Sequence, residues 1–247
     1  MRLVTTDAIV LRTYNLAESD RIVVCLTRAA GLVRGVAKGA RRMKSRFGAA
    51  LEPFTVIKLA YHEKENRDLV AISSAEIVKS HFALNVKPEI GEVLAYMGEL
   101  ISEFAPPHEA DERLFRMLAA CVDALFVTEG AERQLTRYFE IWLLRLSGLF
   151  PDLRSCAGCG TELNDGIPTF VDTELSSWCA QCRPNVPSVL SPEVLVAVRA
   201  SYQLSPINFV QKRKLTEQED LVLSTLTHRL ITRAIDRRPR TLMAANP

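Results

Sequence analysis

Over the first 80 residues the apolar positions gather in short β-rich runs, at residues 4–11, 21–27, 32–38, 55–61 and 69–73. Alternation is clearest in the fourth run. There Thr55, Ile57, Leu59 and Tyr61 fall on one face and Val56, Lys58 and Ala60 on the other, as a half-buried strand requires. Five short strands separated by turn or polar segments predict a small antiparallel barrel. A five-stranded OB barrel fits that count, and the period alone leaves an SH3-like barrel open.

From about residue 89 the period becomes helical. Ile90, Val93, Leu94, Met97, Leu100, Ile101 and Phe104 form one stripe, stopped by Pro106-Pro107. Leu114, Leu118, Cys121, Val122, Leu125 and Phe126 form a second. A third runs through Leu135, Tyr138, Phe139, Trp142, Leu143 and Leu146 to Gly148 and Pro151. These spacings predict three antiparallel helices sharing a bundle core. Periodicity is lost over residues 151–187 and then returns. Ser191-Pro192-Glu193 reads as a helix start and Thr216-x-x-Glu219 as a capping box. The expected fold class is α+β multidomain: an OB-type barrel domain over residues 1–80, then an all-α domain over 81–247 with an inserted segment at 151–187.

Composition changes this picture in two ways. The chain has 247 residues, 48% hydrophobic, enough to bury a substantial core. Its net charge of +2 hides a segregation: residues 1–80 carry 14 basic and 8 acidic side chains, residues 81–150 carry 6 and 11. Residues 151–185 carry 2 and 5, and residues 186–247 carry 9 and 5. Both ends therefore suit a polyanionic partner and the middle does not. No apolar run reaches the length of a membrane span, and the first residues, with Arg2, Asp7 and Arg12, do not resemble an export signal. A cytoplasmic protein is expected.

Four of the six cysteines form two C-x2-C pairs, Cys156/Cys159 and Cys179/Cys182, with 19 residues between them. Two intervening residues let a tight turn aim both sulfurs at one ion, and Gly158 and Gly160 give such a turn its backbone freedom. The pattern predicts one structural Zn2+: four protein ligands leave no open coordination position. A redox pair is the alternative for each C-x2-C taken alone. Cys25 and Cys121 lie in apolar stripes and read as inert core.

Residues 34–46 place Arg34, Lys38, Arg41, Arg42, Lys44 and Arg46 in thirteen positions without an acid, with Gly35 and Gly39 among them. Such a cluster neutralises phosphates and releases their counterions, giving sequence-independent, salt-sensitive nucleic-acid binding. Tyr14, Phe47, Phe54 and Tyr61 are the nearby aromatics that could stack on bases. A second basic set comprises Lys212, Arg213 and Lys214 with Arg229, Arg233, Arg237, Arg238 and Arg240. On a helix Arg229, Arg233 and Arg237 share a face, either a further DNA track or a solvated surface. No phosphate-binding Gly-Lys loop, zinc-protease or Ser-hydrolase signature is present, and His62, His81, His108 and His228 are scattered. No enzymatic activity and no small-molecule substrate are expected. A zinc-ribbon RNA-binding or transcription-related protein, a zinc hydrolase and a pure interaction scaffold remain as rival readings.

The block Val36-Ala37-Lys38-Gly39-Ala40-Arg41-Arg42, followed by Gly48-x-x-Leu51-Glu52-Pro53-Phe54, resembles the N-terminal signature of the RecO family. Arg137-Tyr138-Phe139-Glu140 leading through Gly148 and Pro151 to Cys156-x-x-Cys159 is similar to that family's helical domain and zinc segment. The resemblance spans the chain. It implies a DNA repair and recombination mediator that binds single- and double-stranded DNA and anneals complementary strands without ATP. It also implies partnership with RecR, contact with the C-terminal tail of single-strand-binding protein (SSB), and help in loading RecA at gaps. Arg137 and its helical neighbours are the implied contributors to the tail pocket, unless Arg137 instead pairs with Glu140 or Glu132.

Overall fold

Five strands, β1 (Arg2–Leu16), β2 (Asp20–Thr27), β3 (Gly31–Ala37), β4 (Val56–Glu63) and β5 (Val70–Lys79), close into a barrel in the order β1-β2-β3-β5-β4. Every neighbouring pair is antiparallel except β3 and β5, which run parallel through Gly35↔Val70 and Val36↔Ala71. That single parallel junction between non-consecutive strands is the closure of an OB barrel, and it settles the choice the period left open. The computed structural model describes residues 2–63, 68–81, 87–107, 109–164, 166–185 and 188–244; His108 lies outside them.

The barrel is filled by alternating inward residues: Val10 on β1, Val23 and Cys25 on β2, Val33 on β3, Ile57, Leu59 and Tyr61 on β4, and Ile72 on β5. Thr55, Ile57, Leu59 and Tyr61 are all fully buried, as their alternation required. At Gly35 a Cβ would lie 2.7 Å from Ile72 Cγ1 and 2.9 Å from Val70 Cγ2. A glycine there is what lets β3 and β5 approach closely enough to pair. β1 and β5 run longer than their apolar alternation, and a bulge between Val10 and Arg12 shifts the register of β1.

Two compact units organise the chain, Met1–Phe126 and Val127–Pro247. In the first, α1 (Pro88–Phe104) and α2 (Glu112–Val127) accompany the barrel. On α1, a Cβ at Gly98 would sit 3.3 Å from Phe54 Cζ and 3.6 Å from the Leu11 carbonyl, so the small residue admits the strand. On α2, Asp123 accepts from Lys79 Nζ at 2.6 Å and faces His81 Nε2 at 2.8 Å. His81 Nδ1 lies 3.0 Å from the Phe54 carbonyl. The buried ring is thus fixed at both nitrogens, one toward the Phe54 carbonyl and one toward Asp123.

The second unit holds α3 (Glu132–Leu146), β6 (Thr169–Val171), β7 (Ser177–Trp178), β8 (Ser188–Leu190), α4 (Pro192–Gln203), α5 (Pro206–Lys212), α6 (Glu217–Ala234) and α7 (Arg240–Ala244). The first three stripes, expected to share one bundle core, are divided between the two units. The first two helices belong to the barrel's unit, and α3 packs on α4, α5 and α6. The capping box is present: Thr216 Oγ1 accepts from Glu219 N–H at 3.2 Å, and Thr216 N–H donates to Glu219 Oε2 at 2.7 Å. The cysteine segment carries a small sheet in the order β7-β6-β8, which its irregular sequence did not announce.

Candidate metal centre and nucleic-acid interface

The basic segment is held in place from below. β3 delivers Arg34 outward, and the chain then turns through Gly39, whose φ of +71° suits glycine. Asp20, at the start of β2, accepts from Gly39 N–H at 2.8 Å and from Ser19 Oγ at 2.9 Å. These hydrogen bonds, the backbone one first, hold its carboxyl below the ordinary range. Arg41 N–H donates to the Ser19 carbonyl at 2.9 Å, and its guanidinium to the Ala17 carbonyl at 3.0 Å. The β1–β2 turn is thus fastened to residues 39–41.

Arg34, Lys38, Arg41, Arg42, Lys44 and Arg46 are all exposed. Among the described residues none of the six has a carboxylate within 4.0 Å, whereas the barrel's other paired cations do. Arg21 meets Glu52 at 3.8 Å, Arg28 meets Asp7 at 3.4 Å, Lys58 meets Asp7 at 3.2 Å, and Lys79 meets Asp123 at 2.6 Å. Arg2 and Arg12 of β1 likewise have no carboxylate within 4.0 Å among the described residues, and Asp20 is the carboxylate whose charge is felt by Lys38 and Arg42. Ser45 Oγ accepts from Phe47 N–H, and Arg46 lies over the Phe47 ring at 4.9 Å. Of the four nearby aromatics, Phe47, Phe54 and Tyr61 are buried and Tyr14 is 48% exposed.

In the second unit the four cysteine sulfurs lie within 4.8 Å of one another. Cys159 and Cys179 Sγ are 3.8 Å apart, and all six cysteines are free thiols. Sulfurs about 2.3 Å from a central zinc in a tetrahedron stand about 3.8 Å apart, so this donor set fits a zinc ion and is too open for a disulfide. At Gly158 a Cβ would meet Trp178 Cζ3 at 3.0 Å and Cys182 Cβ at 3.2 Å, so the first knuckle closes only on glycine. Gly160 takes a φ of +72°. Cys179 N–H donates to Cys156 Sγ at 3.3 Å. With further N–H donors, that bond pulls the Cys156 thiol down to about 6 in the metal-free chain. The Cys182 thiol, which donates to Cys159, is pushed up to about 12. The apolar cluster around the sulfurs comprises Leu163 with Trp178 packed against it, and Leu153, Phe170 and Val171 are buried elsewhere in the segment, a small set for a segment of this length to stay folded on unaided. Cys25 and Cys121 are buried, and burial pushes both thiols up, that of Cys25 to about 12.

Arg137, the expected tail-pocket residue, is 7% exposed. Its Nη1 is 2.8 Å from Glu140 Oε2 and its Nε is 3.3 Å from Asp220 Oδ1 on α6. Glu140 is fully buried and also accepts from Thr227 Oγ1 at 2.6 Å, with His228 Nε2 3.1 Å away. Burial would raise the Glu140 carboxyl; Arg137, with His228 and Thr227, brings it below the ordinary range instead. The i,i+3 pair read from the sequence is present, within the interior rather than on a helix surface. Arg233 donates to the Thr173 carbonyl and meets Glu174 at 3.5 Å, while Arg229 interacts with Asp172. Arg233 therefore ties α6 to the cysteine insertion, and the Arg229 charge helps hold the Asp172 carboxyl there below its ordinary range, a placement that helical spacing alone did not reveal.

An OB barrel with an unpaired cationic edge, followed by a helical unit carrying a four-thiol cluster, defines the class. The description "Recombination protein O N terminal" matches residues 1–81, and "Recombination protein O C terminal" matches residues 93–243. The DNA repair protein RecO of Anaeromyxobacter sp. (strain K) is 37% identical over 192 residues, 77% of this chain and 74% of that protein. The DNA repair protein RecO of Anaeromyxobacter dehalogenans (strain 2CP-1 / ATCC BAA-258) is 38% identical over 184 residues, 74% and 71% of the two chains. That of Koribacter versatilis (strain Ellin345) is 37% identical over 160 residues, and there the match spans 65% of each chain. The chain belongs to the RecO family of DNA repair proteins. No helix among the described residues is long and apolar enough to cross a membrane.

Proposed function

We propose that the chain is a recombination mediator that binds single- and double-stranded DNA through its barrel and anneals complementary strands without ATP. With RecR it helps load RecA onto SSB-coated gaps, in the bacterial cytoplasm at the nucleoid. The observation that carries this reading is the set of six exposed cations at residues 34–46, none of which, among the described residues, has a carboxylate within 4.0 Å. Unpaired cations at a surface are free to replace the counterions of two strands at once, which lowers the repulsion that opposes annealing. No bond is made or broken in that process, so the chain needs no catalytic residue. Cys156, Cys159, Cys179 and Cys182 would hold one Zn2+, which supplies the insertion with a folding constraint and no reactive position. The SSB tail is assigned to the helical unit, with Arg137, which pairs with Glu140 and Asp220, and its helical neighbours at the pocket. The domain division at residue 80 is kept as a functional one: DNA on the barrel, protein partners beyond it.

The test is single-strand affinity across a salt series for the native chain and for a variant with Arg41, Arg42 and Lys44 changed to Ala. Each phosphate contact adds about 0.7 to the slope of log affinity against log salt. The triple variant is expected to lose about 2 from that slope. An unchanged slope places the DNA elsewhere, and absence of binding by the native chain at low salt removes the reading.

A further inference from the structure

We propose that Met43, at the tip of the basic loop, is an apolar wedge that enters a base step of duplex DNA whose stacking is already interrupted, as at a mismatch. This rests on the DNA-binding reading above and adds to it a preference that cations alone do not give.

Met43 is 103% exposed, the most exposed large apolar side chain among the described residues, with Val78 next at 62%. The loop that carries it is anchored at both ends. On one side Ala37 is buried in the barrel core with Ala40 packed against it, and on the other Phe47, Ala50 and Leu51 belong to the same core. Arg42 N–H donates to the Gly39 carbonyl at 3.1 Å, Ser45 N–H to the Arg42 carbonyl at 3.0 Å, and Gly48 N–H to the Ser45 carbonyl at 3.3 Å. The second of these bonds closes a turn over residues 42–45, with Met43 and Lys44 at its two central positions. Such positions favour glycine, proline, asparagine, aspartate and serine, each for its backbone or its short polar side chain. A methionine there supplies neither, and a side chain wholly in solvent stabilises no packing. Its apolar surface is held out on a fixed base, open to a partner.

The flanking charge identifies the partner. Arg41 and Arg42 precede Met43, and Lys44 and Arg46 follow it, all exposed and none with a carboxylate within 4.0 Å among the described residues. An apolar side chain between cations that hold the phosphates is the arrangement by which proteins part a base step. Magnitude then selects the step. Unstacking an intact step costs about as much as burying one methionine side chain returns, so a single Met gains nothing from regular duplex. At a mismatch the stacking is already weakened, and the burial is left as net affinity. An anionic lipid surface would also attract the cations, but binding there scales with buried apolar area, and one side chain buries little.

The experiment measures binding to a short duplex with one mismatch beside a 2-aminopurine, and to the fully paired duplex, by the native chain, Met43→Ala and Met43→Leu. The native chain should prefer the mismatched duplex and raise the 2-aminopurine fluorescence as that base leaves the stack. Met43→Ala should bind the mismatched duplex about tenfold more weakly than the native chain, without the fluorescence rise. It should bind the paired duplex with native affinity and salt slope, and Met43→Leu should restore both signals. Equal affinity of Met43→Ala and the native chain for the mismatched duplex overturns the wedge and leaves DNA binding intact. So does a native chain that binds the two duplexes equally. If Met43→Ala instead loses only binding to vesicles of phosphatidylserine and phosphatidylcholine, the tip faces a membrane and the proposal fails. A native chain that binds oligothymidylate but neither duplex overturns the wedge alone. One that binds none of the three removes the reading it rests on as well.

Discussion

At the scale of single residues, the most consequential group is Glu140, fully buried between Arg137, Thr227 and His228. Removing one member of a buried ion pair strands the other. Glu140→Gln is therefore expected to cost about 3 kcal/mol in urea unfolding, more than an exposed ion-pair substitution. Because the folded-state carboxyl lies below its ordinary value, its contribution is present above the unfolded-state value. It is lost as pH falls through the folded one. An acid titration of stability should accordingly be shallower in Glu140→Gln than in the native chain, and an identical profile would refute the assignment. The i,i+3 spacing of Arg137 and Glu140 was legible in the sequence. Its burial was not, because the partners Asp220, Thr227 and His228 lie some eighty or more positions away on α6.

At the scale of elements, the five barrel strands and the long helices were readable in outline, the fourth strand by strict alternation and each long helix by one apolar stripe, whereas the small sheet of the cysteine segment was not. What period does not carry is the partner of a stripe. The stripes of α1, α2 and α3 look alike, yet two accompany the barrel and one packs on α4, α5 and α6. Register is equally silent: the bulge between Val10 and Arg12 of β1 leaves no mark in composition. The parallel closure of the barrel is where an element-scale prediction is sharpest. Gly35→Ala forces a methyl to within 2.7 Å of Ile72 and is expected to cost about 1–3 kcal/mol by overpacking. Thermal unfolding measures it, and an unaltered midpoint would mean that β3 and β5 do not meet as closely as described. At the start of α6, Thr216→Ala removes the capping hydroxyl and should cost about 1 kcal/mol.

At the scale of the whole molecule, the barrel and the cysteine insertion differ in how they are held together. The barrel is stabilised by its own core. The cysteine insertion buries few apolar side chains, Leu153, Leu163, Phe170 and Val171 among them, and its C-x2-C spacing was the part of the candidate site most fully legible in the sequence. Metal analysis of the purified chain should find one zinc per chain. Cys179→Ala should abolish that zinc and expose residues 151–187 to protease, with the barrel still folded. Retention of a protected insertion without metal would contradict the structural role. The cationic segment was legible as a run, but only the structure separates its unpaired cations from the paired ones around it, and places Arg229 and Arg233 beside the insertion.

The central claim, that the barrel's unpaired cations bring two DNA strands together, is tested most directly by annealing of complementary oligonucleotides without ATP. The native chain should accelerate annealing, steeply less so as salt rises, and the variant with Arg41, Arg42 and Lys44 changed to Ala should lose most of the acceleration while unfolding at the native temperature. A native chain that leaves the annealing rate unchanged at low salt, or a folded triple variant that anneals as fast as the native chain, would contradict it.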